Sequence, residues 1–355
     1  MAMDAHREPL WRRLVRTLAA ALAWLAVGLL TIWSVAALWF DVRGGGWTRN
    51  LAVAFYFLLL LTILFLIRRG SLRLLAWAAG FLSVLIWWLA LKPSNERNWQ
   101  EDVSRTAWAE VNGEQVVVHN VRNCDYRAEF DYTCAWETRT YDLAQLRGVD
   151  AYIVYWGSPW IAHTIVSFHF GTKDYLAFSI ETRKVVGQSY SAVEGFFRQY
   201  ELIYIAADER DLVRLRTNYR KDEDVYLYHV VASPARARAR FLEYLTRLNQ
   251  LHEKPEWYNA LTRNCTTSFF EQRKASDSSL PLFDARNWRV LLNGKLDELL
   301  YQGGVFAGNL PFEELKRRAY INPAARAADR DPEFSLRIRE GRPGFESRLP
   351  AAAGR

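Results

Sequence analysis

Three long stretches without a charged residue lie close together near the N-terminal end of the chain. They are Thr17–Phe40, Leu51–Ile67 and Leu74–Leu91. A helix rises about 1.5 Å per residue, so roughly 20 apolar residues cross a hydrocarbon core about 30 Å thick. The first stretch is too long for the apolar part of a cleavable signal peptide, and two more follow at once. The pattern predicts a membrane anchor of three transmembrane helices, with buried helices of a soluble protein as the alternative.

Arginine residues cluster on one side of these stretches. Those before the first stretch are Arg7, Arg12, Arg13 and Arg16, and those in the second connection are Arg68, Arg69 and Arg73. The first connection, Asp41–Asn50, holds only Arg43 and Arg49. Because positively charged loops stay in the cytoplasm, we expect a cytoplasmic N-terminus in a bacterial inner membrane and a periplasmic location after Lys92. The lipid bilayer is then a partner, which suits the net charge of +7; nucleic acid is not.

The chain has three cysteines, and an oxidising compartment changes how they are interpreted. Cys124 and Cys134 are close enough in sequence to form a disulfide, although a pair of buried free thiols is the alternative. Cys265 is then the odd thiol. An odd cysteine in an exported domain is either an intermolecular linker or a reactive group.

Composition divides the chain into four parts. We expect a membrane anchor over residues 1–92 and, over 93–140, a linker with an acidic, aromatic loop (Asn123–Trp136) that the cysteines hold. A folded domain is expected over 141–322. The remainder, 323–355, is rich in Arg, Ala and Pro and is expected to be partly disordered.

The clearest element of the folded domain is a hairpin. His163–Phe170 and Tyr175–Thr182 alternate with period two around the turn Gly171–Asp174. In the first strand Thr164, Val166, Phe168 and Phe170 share one face, and His163, Ile165, Ser167 and His169 share the other. Further strands are predicted at Gln115–Val118, Asp150–Tyr155, Leu202–Ala206 and Val225–Val231. A helix is predicted over Pro234–Leu251, capped by Ser233.

Cys265 lies where a second helix is predicted to begin, running toward Lys274. The polar residues Arg263 and Asn264 precede it and can cap the helix. A helix start lowers a thiol pKa, and so does a nearby imidazolium. His163, at the start of a rigid strand about a hundred residues upstream, is the candidate base. The backbone amide of Cys265 would serve as an oxyanion donor.

A third group is needed to orient the imidazole of His163. The far end of the second hairpin strand returns beside His163, and Glu181 lies there on the same face as Ser179. A carboxylate on the second ring nitrogen would fix the tautomer and favour the charged form. Glu181 is therefore the candidate, with Ser179 or Thr182 as alternatives.

Other interpretations of these residues remain open. Cys265 is also consistent with a small buried hydrophobe, and His163 with a hydrogen-bonded structural residue. His169 shares the face of His163, but no CxxC or HxxxH spacing supports zinc. We therefore expect neither a metal nor a cofactor.

Several short motifs together resemble a bacterial family. They are Tyr155-Trp156-Gly157-Ser158-Pro159, Ala162-His163-Thr164, Phe178 to Lys184, Trp257 to Thr262, and Asn264-Cys265-Thr266-Thr267. The combination resembles the periplasmic domain of Lnb-type lipoprotein N-acyltransferases, over roughly Tyr141 to Asn322. The order of His first and Asn-Cys later is similar to the permuted papain-like fold of lecithin:retinol acyltransferase.

The resemblance implies an α+β fold, a circularly permuted papain-like domain in which an antiparallel sheet packs with a Cys-bearing helix. It implies Cys265 as nucleophile and His163 as base. In the transacylases the membrane helices follow this domain, whereas here three precede it, so the fold and the dyad carry over more safely than the substrate.

The expected function is a membrane-anchored thiol acyltransferase or hydrolase acting on phospholipid or lipoprotein acyl groups through an acyl thioester on Cys265. Candidate substrate-binding residues are Trp156, Trp160, Asn264 and Phe269. A lipid enzyme would have an apolar groove leading to Cys265, built from Trp156, Trp160, Phe269 and Phe270. A cell-wall amidase or peptidase would use the same dyad, with a polar groove. A non-catalytic envelope protein would keep Cys265 buried and unreactive.

Overall fold

The computed structural model describes residues 10–260, 262 and 293–346. Each predicted span is a helix: α1 (Leu10–Asp41), α2 (Gly46–Leu66) and α3 (Gly70–Ala90). All three are long and apolar enough to cross a membrane. Most of their large apolar side chains are exposed, as expected for a surface that lipid covers.

The three helices form a compact unit with the tripeptide Phe197–Gln199. Trp88 donates a hydrogen bond from Nε1 to Asp41 Oδ2 over 2.6 Å, which joins α3 to the end of α1. Phe197 packs on Phe40 with ring centroids 4.9 Å apart. The backbone amide of Arg198 donates to Asp41 Oδ1 over 3.0 Å. The buried carboxylate of Asp41 is thus satisfied by groups from α3 and the tripeptide.

The second unit is built on an eight-stranded sheet. Its strands are β1 (Trp108–Asn112), β2 (Gln115–Ala128), β3 (Asp131–Asp142), β4 (Leu146–Trp156), β5 (Ala162–Phe170), β6 (Asp174–Arg183), β7 (Glu201–Ala207) and β8 (Glu223–Val230). The order is β1-β2-β7-β6-β5-β4-β8, and β3 also pairs with β2. Neighbours are antiparallel except β2 and β7, which meet in parallel at Arg122 and Ala207. The α+β class and the mostly antiparallel sheet are as predicted.

Helices pack on both faces of this sheet. They are α4 (Glu209–Arg214), which continues into a π-helical turn (Leu215–Tyr219), α5 (Pro234–Glu253), α6 (Leu296–Gln302), α7 (Phe312–Ala319), α8 (Asn322–Ala327) and α9 (Phe334–Arg337). The predicted cap of α5 is confirmed, because Ser233 Oγ accepts a hydrogen bond from the amide of Arg236.

The predicted alternation of the hairpin is confirmed. Val166, Phe168 and Phe170 lie in the core that includes Phe241 of α5. Ile165 belongs to a second core on the opposite face, shared with Phe334 of α9. Both faces of β5 are therefore buried, which holds the start of this strand rigidly in place.

The expectation of a linker and a cysteine-held loop before residue 141 was wrong, because this segment forms β1, β2 and most of β3. Cys124 and Cys134 face each other across the β2–β3 hairpin and form the predicted disulfide. The outer face of this hairpin is polar. The strand predicted at Gln115–Val118 is confirmed as the start of β2, in which buried residues alternate with more exposed ones. Asn123–Trp136 was expected to be a loop because it is acidic and aromatic.

The expected disorder after residue 322 is also contradicted, as far as Glu346. The hydrophobic residues Phe334, Ile338 and Phe345 are buried there. Arg339 is 2% exposed and bonds to the buried carboxylates of Asp150 and Glu209. The charged composition suggested a solvated tail, but its arginine completes an ion cluster inside the domain.

The helix predicted to begin at Cys265 falls outside the described residues. The permuted papain-like arrangement therefore stays a prediction.

Candidate active site

His163, Ser179 and Glu181 form a chain of hydrogen bonds at one end of the β5–β6 hairpin. Nε2 of His163 lies 2.7 Å from Ser179 Oγ. Ser179 Oγ lies 2.7 Å from Glu181 Oε1, whereas Glu181 Oε1 is 3.9 Å from the histidine. The direct partner of His163 is thus Ser179, which was the alternative prediction, and Glu181 acts through it.

The hydrogen-bond directions follow from the chemistry of the three groups. An ionised carboxylate only accepts, so Ser179 must donate its hydroxyl hydrogen to Glu181. The serine oxygen then accepts from His163, which places the imidazole proton on Nε2. Nδ1 is left with its lone pair, so this nitrogen is the basic one.

Arg216 holds the far end of this chain. Its Nη2 donates to Glu181 Oε1 over 2.9 Å, and its Nη1 lies 3.4 Å from Glu223 Oε2. The guanidinium is 6% exposed and comes from the π-helical turn after α4, a distortion often found at functional sites. The sequence did not indicate this residue, because no short-range pattern links it to a glutamate 35 positions earlier.

The charge states of Glu181 and His163 follow from their burial and from the positive charge of Arg216. Burial alone would raise the pKa of Glu181, but Arg216, His163 and Arg220 together lower it well below its usual range. Burial and the repulsion of Arg216 lower the pKa of His163 to about 3, against the attraction of Glu181. The carboxylate was expected to favour a charged imidazole. Burial, together with the repulsion of Arg216, outweighs that effect, and His163 is neutral at pH 7.

The low pKa of His163 predicts a loss of stability in acid. The pKa of His163 is near 6.5 in the unfolded chain and about 3 in the folded protein. Between these pH values the unfolded chain binds a proton at His163 and the folded protein does not. The stabilising contribution of the neutral imidazole is therefore fully present above pH 6.5. Below pH 6.5 the free energy of unfolding decreases by about 1.4 kcal/mol for each pH unit. Denaturant unfolding from pH 7 to pH 4, beside His163→Gln, measures this. The same change in free energy of unfolding with pH in both proteins would contradict this prediction.

The candidate substrate-binding residues divide between described and undescribed parts of the chain. Trp156 ends β4 and is half-buried beside Tyr190, with ring centroids 6.0 Å apart. Trp160 is 51% exposed in the β4–β5 loop that leads to His163. Asn264, Cys265 and Phe269 lie outside the described residues.

The segment that ends at Ala260 lies next to the same region. The amide of Ala260 donates to the carbonyl of Gly195 over 2.8 Å. A side chain at Gly195 would come within 3.3 Å of the Ala260 methyl, so glycine permits the close approach. Gly195 lies in the loop that carries Tyr190, and Tyr190 contacts Trp156.

Within the described ranges, no three His, Cys, Asp or Glu side chains are grouped so that they could hold a metal ion. His169 lies at the other end of β5 from His163, stacked on Tyr175 with ring centroids 4.5 Å apart.

Comparison with known families identifies part of the chain. Residues 132–294 match the family model of the Lnb N-terminal periplasmic domain, which confirms the resemblance seen in the sequence. The matched range contains His163, Ser179, Glu181, Arg216 and Cys265. No curated protein and no solved structure matched the chain. A periplasmic domain beside three apolar helices supports an inner-membrane protein associated with the lipid bilayer.

Proposed function

Because residues 132–294 match the family model of the Lnb N-terminal periplasmic domain, we propose that this protein is a periplasmic cysteine acyltransferase or hydrolase of lipid or lipoprotein acyl groups. The observation that carries the proposal is the chain from Arg216 through Glu181 and Ser179 to His163. It fixes a neutral imidazole with its proton on Nε2 and a free lone pair on Nδ1. That is the form a general base requires.

Cys265 is the nucleophile in this proposal. His163 Nδ1 takes the thiol proton as the sulfur attacks an acyl carbonyl carbon. The bond to the leaving oxygen or nitrogen then breaks, and the imidazolium returns the proton to that leaving group, which gives an acyl thioester. An incoming amine or water attacks the thioester, again loses its proton to His163, and releases the thiol.

Acyl substrates are favoured because the three helices keep the domain at a bilayer. Tethering raises the effective concentration of lipid and lipoprotein at the site without any new contact. In this proposal the N-terminus lies in the cytoplasm and the domain in the periplasm, which the arginine distribution supports.

Substrate class is tested with the full-length protein in lipid nanodiscs. We expect it to transfer or release the acyl chain of a phospholipid labelled on that chain, and Cys265→Ser to leave the lipid intact. Intact phospholipid with cleavage of purified cell-wall peptides would replace this proposal with an amidase. Neither reaction, together with a thiol that resists alkylation, would favour a non-catalytic protein.

A further inference from the structure

Two loops beside the candidate active site carry exposed apolar side chains. One joins β4 to β5 and the other joins β6 to β7. The exposed residues are Trp160, Ile161, Val186, Tyr190, Val193 and Phe196, and together they are called the apolar rim below. Single exposed hydrophobics are ordinary, but a cluster of them marks an interaction surface.

The two loops of the apolar rim are neighbours in the structure. Tyr190 of the second loop contacts Trp156, which ends the strand from which the first loop leaves. Their exposure is substantial: 51% for Trp160 and 57% for Val193. The two loops therefore meet, through Tyr190 and Trp156, at one end of the sheet.

The rim has the composition of a membrane interface. Aromatic rings with a polar atom prefer the head-group region, and nearby cations attract anionic lipids. Lys295 lies 5.8 Å from the ring of Trp160 and remains 45% exposed. Lys184 opens the second loop.

The second loop continues directly into a segment that belongs to the helical unit. Phe196 is followed directly by the tripeptide Phe197–Gln199, which belongs to the helical unit. Arg198 donates from Nη1 to the carbonyls of Leu89 and Leu91 at the end of α3, and its guanidinium lies 4.2 Å from the ring of Trp88. The last turn of a spanning helix lies at the membrane interface. Val193 and Phe196 precede Arg198, which contacts that turn, by only five and two positions in the sequence.

From the cluster of exposed apolar residues and its closeness in sequence to the tripeptide that contacts α3, we infer that the apolar rim docks on the lipid bilayer. Val193 and Phe196 reach below the head groups of the leaflet on the domain's side. This docking does not depend on which reaction the site performs. It would bring the end of the β5–β6 hairpin that carries His163 close to the lipid.

Label depth in nanodiscs tests the inference with the full-length chain. A nitroxide is attached through Val193→Cys, or through Phe196→Cys, in a Cys265→Ser background that keeps the Cys124–Cys134 disulfide. Phe130→Cys is the matched control, because Phe130 is apolar and 88% exposed at the tip of the β2–β3 hairpin, outside the rim. We expect rim labels to collide severalfold more with oxygen, relative to a water-soluble nickel chelate, than the control label.

Equal collision ratios for the rim and control labels would overturn the inference. Rim labels shielded from both reagents would also overturn it, because they would show a protein cover instead of lipid. Since every variant lacks the Cys265 thiol, these outcomes are independent of catalysis, and a failed docking test leaves the proposed reaction standing.

Discussion

Replacing His163 by alanine is expected to slow acylation of Cys265 by roughly 10²–10⁴-fold, the usual contribution of a positioned general base. The side chain is 12% exposed and is the base in the proposed mechanism, so the thiol proton would pass directly to water. The measurement is the single-turnover rate at which labelled phospholipid acylates the protein, at neutral pH.

Ser179→Ala is the graded control for this prediction. It removes the hydroxyl that fixes the tautomer but keeps the imidazole, and one lost hydrogen bond is worth about 0.5–1.5 kcal/mol. We expect the acylation rate to fall by up to about tenfold, which is much less than the decrease expected for His163→Ala. Equal rates for wild type and His163→Ala, with unchanged unfolding curves, would remove His163 from the mechanism.

Replacing Arg339 by methionine is expected to destabilise the domain by about 3–5 kcal/mol, the range found when one partner of a buried ion pair is lost. Arg339 Nη2 lies 2.7 Å from Glu209 Oε1 and 2.8 Å from Asp150 Oδ2, and both carboxylates are fully buried. Tyr152 accepts a further hydrogen bond from it over 3.1 Å. Without the guanidinium, Glu209 and Asp150 lose their shared counter-charge. Denaturant unfolding of the full-length protein measures the loss.

Arg337→Met is the matched control, because Arg337 is the last residue of α9 and lies two positions before Arg339. Its side chain is 47% exposed and pairs with Asp331 and Glu340. Exposed pairs of this kind contribute about 0–1 kcal/mol. If Arg339→Met were as mild as Arg337→Met, the C-terminal segment would not be part of the domain core.

The sequence predicted the parts of the fold in which local pattern determines structure. The three apolar stretches became helices, and the β5–β6 hairpin was found with both faces correctly assigned, because alternation is visible over neighbouring residues. Of the β2–β3 hairpin only Gln115–Val118 was predicted as a strand, and the rest was missed because its outer face is polar. The segment around Arg339 was missed because a buried arginine cannot be told from a solvated one until its partners are known.

The candidate site also has a part that local sequence pattern predicts and a part that it does not. Adjacent strands brought Ser179 and Glu181 to His163, and an antiparallel hairpin makes that arrangement predictable. Which of the two contacts the imidazole depends on fractions of an ångström, and the sequence favoured the wrong one. Arg216 comes from a distant π-helical turn, so its effect on the charge of His163 required the three-dimensional structure.

Intact mass of the full-length protein after incubation with native membrane lipids tests the central claim most directly. The account predicts a mass increase equal to one acyl chain that hydroxylamine removes, located on the peptide that contains Cys265 and absent from Cys265→Ala. The wild type without an adduct at any time point, or an adduct that persists in Cys265→Ala, would contradict a thioester mechanism at this residue.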